Sequence, residues 1–161
     1  MIELNSKTQQ DFLNREWVQR LLDAGVDMSD AKYQISKHDG IDFIRLKPSF
    51  LERDYFDSIP TYTVSELLYK LHEWIYPTID GKKYNGGLTM MKDAPFYMFY
   101  YKLHSKNYDP RKLSNEQPEE WDESFMGEFE YPIESLASLL IQCHTKDIGI
   151  ARKDTGNISD K

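Results

Sequence analysis

The sequence is short of the residues that usually announce a chemistry. It has one cysteine, Cys143, which excludes an internal disulfide and any zinc site built on several thiolates. No apolar run approaches the roughly 18 residues of a spanning helix, so no membrane partner is expected. Residues Met1 to Asn5 lack the basic and apolar stretches of a secretory signal, and the cytoplasm is the expected location. The 8 glycines fall singly apart from Gly86-Gly87. No Lys-Ser or Lys-Thr follows that pair, so it makes no phosphate loop, and no cofactor is expected. No Lys or Arg occurs between Leu113 and Thr145. The net charge of −7 argues against direct binding of nucleic acid, which needs clustered cations to displace counterions. It leaves room for a basic protein partner.

What is there suits one globular domain. The 161 residues are 40% hydrophobic and 29% charged, enough to bury a substantial core. Aromatics reach 14%, with 11 tyrosines. Tyr can pack its ring and solvate its hydroxyl, or the surplus can form a contact surface.

A first helix is expected from about Ser6 to Ala24, with Leu13, Trp17, Leu21 and Ala24 on one stripe and Gly25 just past its end. Tyr33, Ile35 and Lys37 alternate with polar positions, His38-Asp39-Gly40 supplies a turn, and Ile41, Phe43 and Leu46 resume the pattern. Residues 49–60 read as a loop. A second helix opens on Thr63, which can cap the amide of Glu66 while Glu66 caps back. Tyr62 can staple to Leu67. Val64, Leu67, Leu68, Leu71, Trp74 and Ile75 form its apolar face, and Pro77 ends it. After an Asp80-Gly81 turn, Leu88–Lys92 and Phe96–Leu103 read as strands joined by Asp93-Ala94-Pro95. Phe96, Met98 and Tyr100 point one way; Tyr97, Phe99, Tyr101 and Leu103 point the other. Such a strand is covered twice, or covered once with an aromatic face left for a partner. A third helix starts near Pro132, with Ile133, Leu136, Ala137, Leu140 and His144 on one face, widened by Leu139 and Cys143.

Residues 104–131 show no period. Pro110 and Pro118 interrupt them, and Glu116, Glu119, Glu120, Asp122, Glu123, Glu128 and Glu130 crowd them. They read as an acidic insertion. Its carboxylates are a solvated loop, a protein-binding or nucleic-acid-like surface, or a site for metal binding or for acid and base catalysis if burial shifts their pKa values. Trp121 and Phe125 dock that loop onto the domain or anchor an interface.

Other candidate chemistry is incomplete. His72-Glu73-Trp74-Ile75-Tyr76 is half of a zinc-protease motif, with Tyr76 where the second His belongs. Cys143 and His144 are adjacent, but helix neighbours point about 100° apart and do not form a nucleophile and its base. His38 sits in a turn and His104 at a strand end, with no motif partner. No catalytic or metal-ligating residue is assigned.

Four pieces in order carry a resemblance. They are Arg20-Leu21-Leu22-Asp23-Ala24-Gly25-Val26 with Ala31 and Tyr33; Pro60 to Leu68 with Leu71 and Ile75; Leu88 to Lys92 leading to Phe99-Tyr100-Tyr101; and Glu134 to His144. On these the chain resembles a family of small uncharacterised proteins common in prophages and mobile elements of Bacteroides-type gut bacteria. The acidic insertion departs from the family's shorter pattern. The resemblance implies a cytoplasmic accessory protein of a mobile element that acts by binding.

The expected architecture is a single α+β domain over residues 1–148, with the insertion at about 104–131 and a disordered tail at 149–161. One antiparallel sheet of hairpins, near 33–46 and 79–103, packs on helices two and three. The expected function is non-enzymatic protein binding through Tyr97, Phe99, Tyr101, Trp121, Phe125, Glu119, Glu120, Asp122 and Glu123. The alternatives are an acidic mimic of nucleic acid that blocks a DNA-binding protein, and a hydrolase using the loop carboxylates. Self-association of an aromatic strand into a homodimer is a further reading.

Overall fold

The computed structural model describes residues 2–47, 58–79, 81–93, 96–105, 109, 111–112, 126–129 and 131–145, with 79, 93, 96 and 126–129 as backbone only. The tail at 149–161 and most of the acidic insertion lie outside these residues. The architecture is α+β. Two antiparallel sheets share one core with three helices.

The first sheet has the order β1-β3-β2-β4, from β1 (Ile2–Glu3), β2 (Tyr33–His38), β3 (Ile41–Leu46) and β4 (Ile59–Thr61). Its β2–β3 hairpin forms where the alternation placed it, with His38 opposite Ile41. Both turn residues, Asp39 and Gly40, take positive φ, as a tight hairpin turn requires. The inward set differs from the expected one. Ile35 pairs across to Ile44, and both are buried, whereas Ile41 is exposed and Phe43 half-buried. Strand β4, which begins within the stretch 49–60 read as a loop, pairs with β2 through Tyr33–Thr61.

The helix before this sheet is shorter than its stripe. α1 spans Arg15–Asp23, and Asn14 caps it by accepting from the Trp17 amide at 3.0 Å. Residues 6–11 form turns held by Asn5 and Thr8. That polar run has no apolar face to bury, and burial is what holds most protein helices. The far end is as expected. Gly25 (φ 86°) and Val26 donate back to Leu22 and Leu21, the paired bonds of a Schellman stop.

α2 spans Val64–Lys70 and carries the expected capping box between Thr63 and Glu66. Tyr62 and Leu67 are both buried beside it. The helix stops earlier than Pro77. Leu71 is already extended, and Trp74–Ile75 form strand β5. The cause lies in the second sheet. It runs β5-β7-β8-β9, with β6 (Thr78–Ile79) also on β7 (Lys82–Asp93); β8 is Phe96–Ser105 and β9 Met126–Phe129. Trp74 pairs with Gly87 and Ile75 with Gly86. A methyl group on Gly86 would sit 2.5 Å from Leu103 Cδ2 and 3.2 Å from Ile75 Cγ1, and one on Gly87 would sit 3.2 Å from the Trp74 ring. The glycine pair makes the bed on which β5 lies, and this pairing outcompetes continuation of the helix.

The hairpins therefore build two sheets rather than the single one expected. The β7–β8 hairpin is the long element of the second, and β9 lies along β8 from Tyr97–Phe129 to Tyr100–Met126. This strand falls within the insertion read as loop.

α3 (Pro132–Thr145) forms as the pattern predicts, burying Ile133, Leu136, Ala137, Leu139, Leu140 and Cys143. It packs against α1, α2, β8 and β9. Each fully buried Leu here stabilises the fold by about 1.5–3 kcal/mol. Ser135, also buried, accepts the Phe99 amide proton at 2.7 Å and ties strand to helix. Trp17 Nε1 donates to Glu134 at 2.9 Å, and Gln9 to the Tyr131 hydroxyl at 2.7 Å. These bonds fix the N-terminal region to the first turn of α3. No helix among the described residues is long and apolar enough to cross a membrane.

Candidate interaction surfaces

The expected surface needs a correction. Phe99 and Tyr101, at 9% and 0% exposure, are core residues with Leu103. The odd-numbered face of β8 packs on α3, and no partner can reach those two rings. Tyr97, nearer the hairpin tip, is half-buried, with the Lys92 ammonium 5.3 Å from its ring centre. Trp121, Phe125, Glu119, Glu120, Asp122 and Glu123 lie outside the described residues.

The opposite face of the same strands is the accessible one. Alternation puts Gly87, Thr89 and Met91 of β7 on it, with Met98, Tyr100 and Lys102 of β8. Cross-strand partners form the rows Gly87–Lys102, Thr89–Tyr100 and Met91–Met98. Trp74 flanks the first row and lies over Gly87. It is 52% exposed; Met91 is exposed, and Met98 and Tyr100 are half-buried. Rows on one face repeat about every 7 Å, so the three make a strip about 14 Å long that carries Trp74, Tyr100, Met98 and Met91 beside Thr89 and Lys102. Sequence reading missed Trp74 because it was assigned to the buried face of a helix. The signal was present in Gly86-Gly87: paired glycines in an otherwise alternating strand mark a place where another chain segment approaches closely.

The titratable groups serve as ties. Tyr101 donates from its hydroxyl to the His72 carbonyl. Burial raises this phenol above its ordinary pKa, so it stays a donor. His72 itself sits between α2 and β5 rather than on a helix, which removes the geometry of the half-motif it begins. Tyr62 donates to Asp30 Oδ1 at 2.6 Å and to the Asp27 carbonyl at 3.1 Å. Burial first, then the Asp30 hydrogen bond, raises this phenol as well. Lys70 Nζ reaches Asp30 at 3.1 Å and the Asp27 carbonyl at 3.0 Å. A phenol locked onto a carboxylate as donor is a clamp, not a base. This clamp fastens the loop after α1 to α2. Cys143 is buried on α3. Among the described residues no group of three His, Cys, Asp or Glu is placed to hold a metal ion.

No protein-family model, curated protein or solved structure matches the chain.

Proposed function

We propose that the chain is a non-enzymatic binding protein that engages a protein partner through the outer face of its second sheet. The observation that carries this reading is Trp74, half exposed on a bed of backbone at Gly87. A large ring already fixed by its support loses little conformational freedom on binding, and Trp, Tyr and Met are the side chains enriched at interface centres. Met91, Met98 and Tyr100 extend the same strip. The role fits the accessory protein of a mobile element that the resemblance implies. The mimic and hydrolase readings both rest on carboxylates at 116–130, none of whose side chains is described.

Affinity capture from the source cells tests the proposal. The wild type, Trp74→Ala and Tyr100→Ala are compared, with Trp121→Ala alongside as the anchor suggested by sequence. A specific partner lost with Trp74→Ala and Tyr100→Ala supports the sheet face. A partner lost only with Trp121→Ala moves the contact to the insertion. Light scattering at several concentrations identifies a self-partner: a dimer that Trp74→Ala dissociates would make the strip a homodimer interface.

A further inference from the structure

The first sheet carries a different kind of feature, independent of the strip. A cavity of about 350 Å³ opens between the end of α1, the loop that follows it, and strands β2 and β4. Its size falls at the lower end of small-molecule sites. Val26, Met28 and Pro60 give it an apolar wall. Gln34 of β2 also lines it and is only 4% exposed. The Gln34 Nε2 is buried and hydrogen-bonds to no group among the described residues. Its cross-strand neighbours are Pro60 in β4 and Arg45 in β3. A buried amide ordinarily finds a partner, and one that does not calls for an explanation.

Two opposite charges line the same cavity, both tied to the backbone of one residue. The Asp27 carboxylate accepts the Ser29 amide proton at 2.9 Å. The Lys47 ammonium donates to the Ser29 carbonyl at 3.2 Å, which leaves it two further N–H donors. The loop that carries Asp27 is clamped from behind, since its carbonyl accepts from Tyr62 and Lys70. Both charges are thus tied to Ser29 before any ligand arrives.

We propose that this cavity binds a small zwitterion, a free α-amino acid with an aliphatic side chain. Its carboxylate meets Lys47 and the Gln34 amide, its ammonium group meets Asp27, and its side chain lies against Val26, Met28 and Pro60. A peptide terminus offers only one of the two charges and is the poorer fit.

The test uses the full chain titrated with L-leucine, N-acetyl-L-leucine and L-leucinamide, followed by thermal unfolding and by amide chemical shifts. L-Leucine should raise the melting temperature saturably and shift the amides of residues 26–29 and 34. Removing either charge from the ligand should weaken binding at least about tenfold. Lys47→Met and Asp27→Asn should each weaken L-leucine binding about tenfold; both sites are exposed, so the variants should fold as the wild type does. Gln34→Leu should abolish binding while keeping the far-UV spectrum. Equal responses to all three compounds, binding unchanged in Lys47→Met and Asp27→Asn, or no saturable response to L-leucine up to about 50 mM would each overturn the proposal.

Discussion

The two sheets handle polarity in opposite ways. The first buries polar side chains: Gln34, Ser36 and Thr61 are all inside. Thr61 donates to the Leu13 carbonyl at 2.8 Å, and the Ser36 and Ser58 hydroxyls lie 2.9 Å apart. The second buries Phe99, Tyr101 and Leu103 on its inner face, yet leaves Trp74 and Met91 of its outer face in solvent. Buried polar groups that find partners, as Ser36 and Thr61 do, fix a shape, and one left over, as at Gln34, suits a small cavity with a polar ligand. Exposed apolar groups lose free energy only when another surface covers them, which suits a macromolecular contact. The same chain thus builds two kinds of candidate site on one core.

Removing what both sheets share should produce the largest effect. Leu136→Ala, in the helix that packs on α1, α2 and the second sheet within the common core, should cost about 2–5 kcal/mol, read by urea unfolding with both sheets lost in one transition. A change confined to the second sheet comes next. Gly86→Val places atoms where Leu103 and Ile75 already stand, and overpacking of this kind costs about 1–3 kcal/mol. Hydrogen exchange should then speed up in β5 and β7 before it does in β2 and β3. Loss of the Thr63 cap by Thr63→Ala should cost about 1 kcal/mol, visible as a lower urea midpoint with an unchanged slope. The smallest effect falls on the strip. Trp74→Ala should change stability by no more than about 0.5–1 kcal/mol and yet remove the bound partner. A large loss of stability there would make Trp74 a packing residue and dissolve the contrast between the sheets.

What the sequence makes legible follows from how local the cause is. The Thr63–Glu66 capping box, the Gly25 stop, the Asp39-Gly40 hairpin and the α3 stripe are each written within about a dozen residues, and each forms as read. The failures are non-local. Trp74 and Ile75 have the right spacing for a helix face, and only the distant glycines of β7 make them a strand. Strands β4 and β9 are too short to show a period; they exist because β2 and β8 offer edges to pair with. The alternation of β8 correctly divided its side chains into two sets, but which set faces α3 depends on packing that alternation alone does not encode. The candidate surface consequently began on the wrong side of the right strand.

Position-specific photo-crosslinking tests the central claim most directly. A photoreactive phenylalanine derivative would replace Trp74 on the second sheet and, in a separate protein, the similarly exposed Ile41 on the first. After irradiation in the source cells, the account predicts a discrete protein adduct from position 74 and none from position 41. An adduct from position 41 alone, or the absence of any adduct from position 74, would contradict the assignment of the outer face of the second sheet as the binding surface.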